Sequence, residues 1–424
     1  MIIEIRVKNC FCFTEQVVFS LKADMRSRRF SSNVSNIAQQ NILKTAGVYG
    51  PNNSGKSCLI KSIKNIKSFL TGEAPSNTIG NIFSKNNICE LGITFVENEH
   101  VYSYDFNYDH KKALFTREEF SELTYDQYGN EKKNIWLSYD DENNNYFCYE
   151  DSIKEILHII SKSSLICFLI DSSKFPKIGQ IKNIITSIAS KIEIVDMNNI
   201  PLEKTISLMK NENNLQKRIV NFIKNADTYM DDFIYYDTDK VSVIQKVGED
   251  KPAEKVLDIP ERIMDRICLV SVYKGIPTPS FIFDSTGTKK IAALASYVIE
   301  GLDEGKILIV DELDNSLHFK LTRAIVAMFN NELNETAQLI FTSHDISLMD
   351  CKKLFRKEQI WFVHKDYEKV YLYPLSAFTA ENGIRETTDI IEKYRKGFLG
   401  ALPEPELINT LLDIKSSKRV EEAN

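Results

Sequence analysis

The chain contains no Cys-x-x-Cys pair, although it holds 8 cysteines. Zinc fingers, zinc ribbons and thioredoxin-like motifs need that spacing, so no zinc site is expected. Scattered cysteines read as reduced, partly buried thiols. Only Cys10 and Cys12 lie close together, at a spacing that places both side chains on one face of a strand. No apolar run is long enough for a membrane span: Ser161, Lys162, Ser163 and Ser164 interrupt the longest stretch, Ile156 to Ile170. The opening, MIIEIRVKNC, carries charge too early for a secretory signal, so a cytoplasmic location is expected. Proline is scarce, and neither an internal repeat nor a sustained heptad pattern occurs, which argues against a solenoid or a long coiled coil. Charge of one sign is not in large excess either. A formal net charge of −6 argues against wholesale coating by nucleic acid while allowing a local basic groove. The two basic clusters, Lys22 to Arg29 and Lys352 to Lys357, read as solvated faces.

What is present is the composition of a globular protein, with 43% hydrophobic and 26% charged residues over 424 positions, enough for two or three domains. Ile2 to Val7 and Gln16 to Leu21 alternate as strands. Thr45 to Tyr49 is a short apolar run leading into Gly50, and Leu59, Ile60, Ile63, Ile66, Phe69 and Leu70 then share one helical face. From Glu90 to about Cys148 the period changes to two, with a hairpin turn at Glu97 to Glu99. Asp151 to about Arg266 has helical character with Asn- and Lys-rich breaks such as Asn211 to Asn214. Farther on come a helix over Lys289 to Glu300, a buried strand over Lys306 to Val310, a helix near Phe319 to Asn330 and a second buried strand over Ala337 to Phe341. Strands alternating with helices point to a parallel sheet covered on both faces, with the middle of the chain inserted as lobes.

Gly50-Pro51-Asn52-Asn53-Ser54-Gly55-Lys56-Ser57 fits the GxxxxGK[ST] pattern and sits between a strand and a helix, the context that motif requires. Its glycines let backbone N–H groups converge on phosphates at the positive end of the following helix, with Cys58 in the first turn. Lys56 would reach the β- and γ-phosphates of ATP, and the Ser57 hydroxyl would ligate Mg²⁺. Ile307 to Val310 ends in Asp311 and Glu312. A buried strand delivering a carboxylate to its C-terminal edge suits a metal partner for the loop: Asp311 would hold Mg²⁺ and Glu312 would polarise the attacking water.

Here the sequence resembles ABC-type ATPases. Asp311-Glu312 followed by Leu313-Asp314-Asn315-Ser316-Leu317-His318 is similar to their Walker B strand and D-loop, with Asp314 as the D-loop acid. Ala337 to Asp345 is similar to their switch strand, with His344 sensing the γ-phosphate. Ser285-Thr286-Gly287-Thr288, ahead of a helix, resembles the signature motif in the dialect of bacterial AAA-type ATPases of the OLD and abortive-infection group. The likeness also covers the first 21 residues and Tyr394 to Pro403, and is thin between about 100 and 280. Ser285 or Thr286 is also a good N-cap, and His318 reads as a packing or capping residue. Asn53 stands where the family carries glycine and is expected to tighten the loop through a side-chain hydrogen bond.

The resemblance implies an α/β ABC-type P-loop ATPase head. A mixed sheet is shared by an N-terminal ATPase half over residues 1–150, with the P-loop and an antiparallel β lobe, and a C-terminal ATPase half over 281–424, with signature, Walker B, D-loop and switch histidine; a helical insertion lobe spans 151–280. It implies a signature that grips the γ-phosphate on a second subunit, hence a homodimer or higher homo-oligomer using ATP and Mg²⁺. About 80 residues follow His344, too few for a Toprim nuclease domain, so the expectation is an ATPase subunit acting with a separately encoded effector, similar to PARIS-type and RloA-type anti-phage defence ATPases and set off by a phage-derived trigger. The alternative is a RecF- or SMC-like repair ATPase that clamps DNA. No membrane partner is expected.

Overall fold

The computed structural model describes residues 1–402 apart from 28, 76–78, 127–128, 150, 211–213, 227, 237–260, 367–368, 382 and 386–387, and a few residues beyond 402. Two of the sequence expectations, the break at 211–213 and the final residue of the 394–403 likeness, lie outside the described residues. The strands in chain order are β1 (Ile2–Lys8), β2 (Val17–Ser20), β3 (Val34–Ile37), β4 (Gln40–Leu43), β5 (Thr45–Tyr49), β6 (Ile88–Glu97), β7 (His100–Asp109), β8 (Leu114–Tyr125), β9 (Glu131–Asp140), β10 (Asn145–Cys148) and β11 (Ile192–Asp196). They continue as β12 (Asp232–Tyr235), β13 (Leu269–Tyr273), β14 (Ile276–Pro279), β15 (Ile307–Asp311), β16 (Gln338–Thr342), β17 (Ile360–Lys365) and β18 (Val370–Pro374).

Period-two patterning produces a seven-stranded antiparallel sheet, ordered β10-β9-β8-β7-β6-β1-β2. The turn of the β6–β7 hairpin is Asn98-Glu99, both with positive φ, which matches the right-handed twist of the flanking strands. Phe69, on the helix Lys56–Leu70, packs against Phe106, Tyr108 and Phe115 of this sheet. One apolar helix stripe thereby joins the two sheets in a single core. Leu59, Ile63, Ile66 and Leu70 are fully buried, and each contributes roughly 1.5–3 kcal/mol.

The second sheet, ordered β11-β15-β16-β5-β17-β18, is parallel except for the β17–β18 pair. Its strands read as continuous apolar runs because both faces are covered. The mixed α/β architecture with an antiparallel lobe is as expected, but the middle of the chain is not uniformly helical. Ile192–Asp196 pairs in parallel with the whole of β15, Asp196 opposite Asp311, and so extends the central sheet. β12, β13 and β14 form a separate three-stranded sheet.

Two further expectations are corrected. Cys10 and Cys12 do not lie on a strand: β1 ends at Lys8, and Asn9 and Phe11 take positive φ in a tight turn closed by Cys10 and Phe13. Their side chains therefore diverge. In the two basic clusters Lys22, Arg26, Arg29, Lys352 and Lys353 are exposed, but Arg356 is not: its buried guanidinium donates to the carbonyls of Asp24, Ser27 and Arg29 and so joins the clusters. Arg29 in turn donates to the carbonyl of Lys352. Orphan carbonyls and a buried cation satisfy one another there.

The β lobe holds a buried carboxyl group, Glu118 on β8. Tyr104 Oη and the Ile166 N–H donate to its two oxygens, the latter at 3.1 Å. Burial pushes its pKa up to about 7, against the pull of these donors. A group raised in the folded state adds stability that is fully present below its unfolded pKa and is lost as pH rises through the folded value. Thermal unfolding should therefore show Glu118→Gln gaining stability over wild type between pH 5 and pH 8, by roughly 1–3 kcal/mol at the upper end. A difference that does not change across that window would mean the carboxyl is not held neutral.

Candidate functional site

The parallel strands β5, β16 and β15 all end at one edge of the central sheet, and each delivers a motif there. After β5 comes the loop Gly50–Gly55. Gly50 has φ 154° and Gly55 φ 115°, and a Cβ on Gly50 would lie 2.3 Å from the carbonyl oxygen of Val363, so glycine is required. Asn53 has φ 59° and is exposed, and its side chain has no hydrogen-bond partner among the described residues. It replaces glycine by tolerating the left-handed region, not by tightening the loop. The helix beginning at Lys56 has no side-chain cap. The Cys58 N–H donates to the Gly55 carbonyl, and the N–H groups of Lys56 and Ser57 are open to an anion, beside Ser54 Oγ, which is buried without a partner.

Lys56 is only 6% exposed, and its Nζ donates to the carbonyls of Gly50 and Pro51 at 2.8 and 2.9 Å. Burial lowers its pKa, while Asp311, Glu312 and Asp314 pull it back up. A buried lysine seated on two carbonyls of this loop suits a polyphosphate. Ser57 and Asp311 are the residues that would hold Mg²⁺. Among the described residues no cluster of three or more His, Cys, Asp or Glu could form a metal cage, and magnesium, which keeps waters and substrate phosphates, needs none.

Thr342, at the end of β16, fastens the two acids of β15. Its hydroxyl donates to Asp311 Oδ1 and accepts the N–H of Glu312 at 2.8 Å. Glu312 sits at φ 57°, a strained conformation for a long side chain that re-aims it away from the strand direction. Asn198 and Asn315 donate to Glu312 Oε2 at 3.1 and 3.0 Å, and Asn315 also donates to Asn198 Oδ1 at 2.6 Å. The Asn315 bond, first, holds the Glu312 carboxyl below its ordinary range, with help from Asn198, His344 and Lys56. Asn198 lies two residues past the end of β11, and the parallel register of β11 with β15, Asp196 opposite Asp311, brings it beside Glu312. Neither Asn198 nor Thr342 was legible in the sequence: a lone Asn after an edge strand and a Thr before Ser-His carry no motif.

Asp314 accepts the His344 N–H at 3.3 and 3.2 Å and so fixes the backbone at His344. His344 shares one cleft with Tyr49, Gly50, Pro51, Asn52 and Arg395. His318 caps the helix Phe319–Phe329, its Nδ1 accepting the Lys320 N–H at 3.3 Å.

The remaining motif stands apart. Ser285 is the N-cap of the helix Thr286–Glu304, its Oγ accepting the Thr288 N–H at 3.1 Å. Asp284, which receives the hydroxyls of Ser271, Tyr273 and Ser280, anchors the segment to β13. Ser285 and Thr286 are exposed. Gly287 packs against the segment after β15, where a Cβ would lie 2.9 Å from the Ser316 carbonyl, and Lys290 donates to Asn315 Oδ1 at 2.7 Å. No hydrogen bond among the described residues joins Ser285–Thr288 to the loop 50–58.

The sequence profile of a family described as "AAA domain, putative AbiEii toxin, Type IV TA system" matches residues 209–350. The match holds Ser285–Thr288, Asp311, Glu312, Asp314 and His344. Residues 209–350 are thus similar to an AAA domain of that family. No curated protein matches it. Among solved structures it is similar to an SMC head domain from Thermotoga maritima, at 11% identity and TM-score 0.42, over 88% of this chain and 98% of that one. It is also similar to an SMC head bound to the C-terminal winged-helix domain of ScpA, at 14% identity and TM-score 0.47, over 90% and 99%. No helix among the described residues is long and apolar enough to cross a membrane.

Proposed function

We propose that this AAA domain hydrolyses ATP in the cytoplasm at a site completed by a second copy of the chain, and that its ATP-bound dimer, or a larger assembly built from it, holds a separately encoded effector in check in anti-phage defence. The observation that carries the composite site is the separation just described. Loop, acids and His344 gather at one sheet edge, while an uncovered helix N-terminus at Ser285–Thr288 faces outward with no partner from its own loop. An isologous two-fold pairing would set each such N-terminus over the other subunit's loop.

In this reading Lys56 leaves the carbonyls of Gly50 and Pro51 to meet the β- and γ-phosphates. Glu312, kept ionised and aimed by Asn315 and Asn198, orients and polarises a water. His344, positioned by Asp314, donates to the γ-phosphate. Magnesium, bound by Ser57 and Asp311, would neutralise phosphate charge as it develops. The toxin–antitoxin wording of the matched family supports the defence role.

A phosphate-release assay tests the enzymatic core. Lys56→Ala should lower kcat/KM by about 10²-fold or more, because the transition state loses its main cationic contact. Turnover within about threefold of wild type would remove the loop from the mechanism.

A further inference from the structure

The segment that begins at Tyr394 has no part in the chemistry proposed above. The helix Ile390–Arg395 opens on Asp389, whose carboxylate accepts the Glu392 N–H at 3.0 Å. Tyr394 is buried and stacks on Phe362 of β17, with ring centroids 5.7 Å apart and planes 15° from parallel. Its Oη donates to the Ala401 carbonyl at 2.7 Å, and Tyr373 Oη of β18 donates to the Leu399 carbonyl at 2.9 Å. Those two bonds clamp the chain after the helix against the β17–β18 edge of the central sheet. The backbone at Arg395 is therefore held in place, although its side chain is exposed.

Arg395 lines a cleft of about 500 Å³ with Tyr49, Gly50, Pro51, Asn52 and His344. Phe362 lies opposite Tyr49 in the parallel register of β17 with β5, and Tyr394, stacked on Phe362, thereby carries the helix end to the loop that follows β5. The neighbouring cations are engaged: Lys393 sits over the Phe398 ring at 4.3 Å, and Lys396 pairs with Glu392 at 2.6 Å. Arg395 has no hydrogen bond, ion pair or ring contact among the described residues. Tyr49 is 1% exposed, and its Oη has no hydrogen-bond partner among the described residues either. An unpaired guanidinium fork and an unpaired buried hydroxyl thus line one cleft beside the loop.

We propose that Arg395 binds the terminal phosphate of a nucleoside triphosphate held by the loop of its own chain, and so distinguishes a triphosphate from a diphosphate. The inference rests on the proposed nucleotide site, in which His344 meets the γ-phosphate. Arg395 shares its cleft with His344 and with the Gly50–Asn52 end of the loop, not with Ser57 or Cys58 at the other end. The γ-phosphate is the group a diphosphate lacks, and a guanidinium fork matches phosphate oxygens bidentately. Reaching it requires only rotation of an exposed side chain, because the stacked Tyr394 already fixes the backbone.

The test titrates fluorescent ATP and ADP analogues, with magnesium, into the full chain carrying Arg395→Ala or Arg395→Lys. Arg395→Ala should weaken the ATP analogue by about tenfold or more and leave the ADP analogue within about twofold of wild type. Arg395→Lys should recover part of that loss, since the charge returns without the fork. Both variants should melt at the wild-type temperature, because the side chain leaves no partner behind. The ATP-selective loss should also appear in a Ser285→Asp background, in which two chains are expected not to close on each other's nucleotide. A loss shared equally by ATP and ADP would overturn the proposal. So would unchanged ATP affinity in Arg395→Ala, or a loss that vanishes in the Ser285→Asp chain, which would mean that Arg395 acts across the dimer. In each of those cases wild type still binds both analogues and the nucleotide site stands. Wild type that binds neither would count against the site itself, and Arg395 would fall with it.

Discussion

Glu312→Gln should retain ATP binding, lose about 10²–10⁴-fold in kcat, and accumulate as an ATP-joined dimer. The substitution keeps the side chain's length and one carbonyl oxygen, so Asn315 and Asn198 can still donate to it. Only the charge goes, and with it the pull on a water proton. The positive φ at Glu312 is unaffected, because the strain lies in the backbone. Equilibrium binding of labelled ATP, single-turnover hydrolysis and size-exclusion chromatography with light scattering separate the three parts of the result. If binding falls along with turnover, the acid is structural and holds the Asn198–Asn315 bridge for the loop's sake. If turnover persists at wild-type level, another group positions the water.

The same residue shows where sequence reading stops. Gly50 to Ser57 and the Asp311-Glu312 pair were legible because each is contiguous and each sits at the end of an apolar run whose period gives away the strand. The environment of Glu312 was not. Thr342 comes from one neighbouring strand and Asn198 from the other, 30 residues after and 114 before it, and only the parallel register of β11, β15 and β16 makes them meet. IEIVD follows directly on the helix Pro176–Lys191, whose own apolar stripe of Ile181, Ile185 and Ile188 continues into it. A five-residue strand joined to a helix without a turn residue carries no local signal of the switch, and its pairing with β15 decides. The Cys10–Cys12 spacing failed for the opposite reason. Alternation predicts a strand, but Asn9 takes the left-handed conformation and ends β1 one residue before Cys10. Arg356 was misread because charge clusters are solvated by default, and here backbone carbonyls take the place of water.

Mixing Ser285→Arg with Lys56→Ala should restore ATP hydrolysis that neither protein shows alone. Ser285→Arg keeps an intact loop but places bulk and length at the helix N-terminus that would receive the partner's phosphate. Lys56→Ala keeps that N-terminus and loses the loop lysine. A heterodimer then has one site in which both halves are whole and one in which both are broken. With random pairing half the dimers are mixed, so activity should return to about a quarter of wild type. The arginine also removes the cap on Thr288 N–H, a loss of about 1 kcal/mol of helix stability. Ser285→Asp separates the two effects, since it retains the cap and puts a negative charge where phosphate is expected. It too should bind ATP, fail to turn it over, and be rescued by Lys56→Ala. Heterodimer formation is followed with differently tagged subunits, so that an absence of rescue in a mixture shown to contain mixed dimers means both sites must fire together. Full activity of Ser285→Asp on its own would mean that the exposed end at Ser285 is an ordinary capped helix and that one chain completes the site.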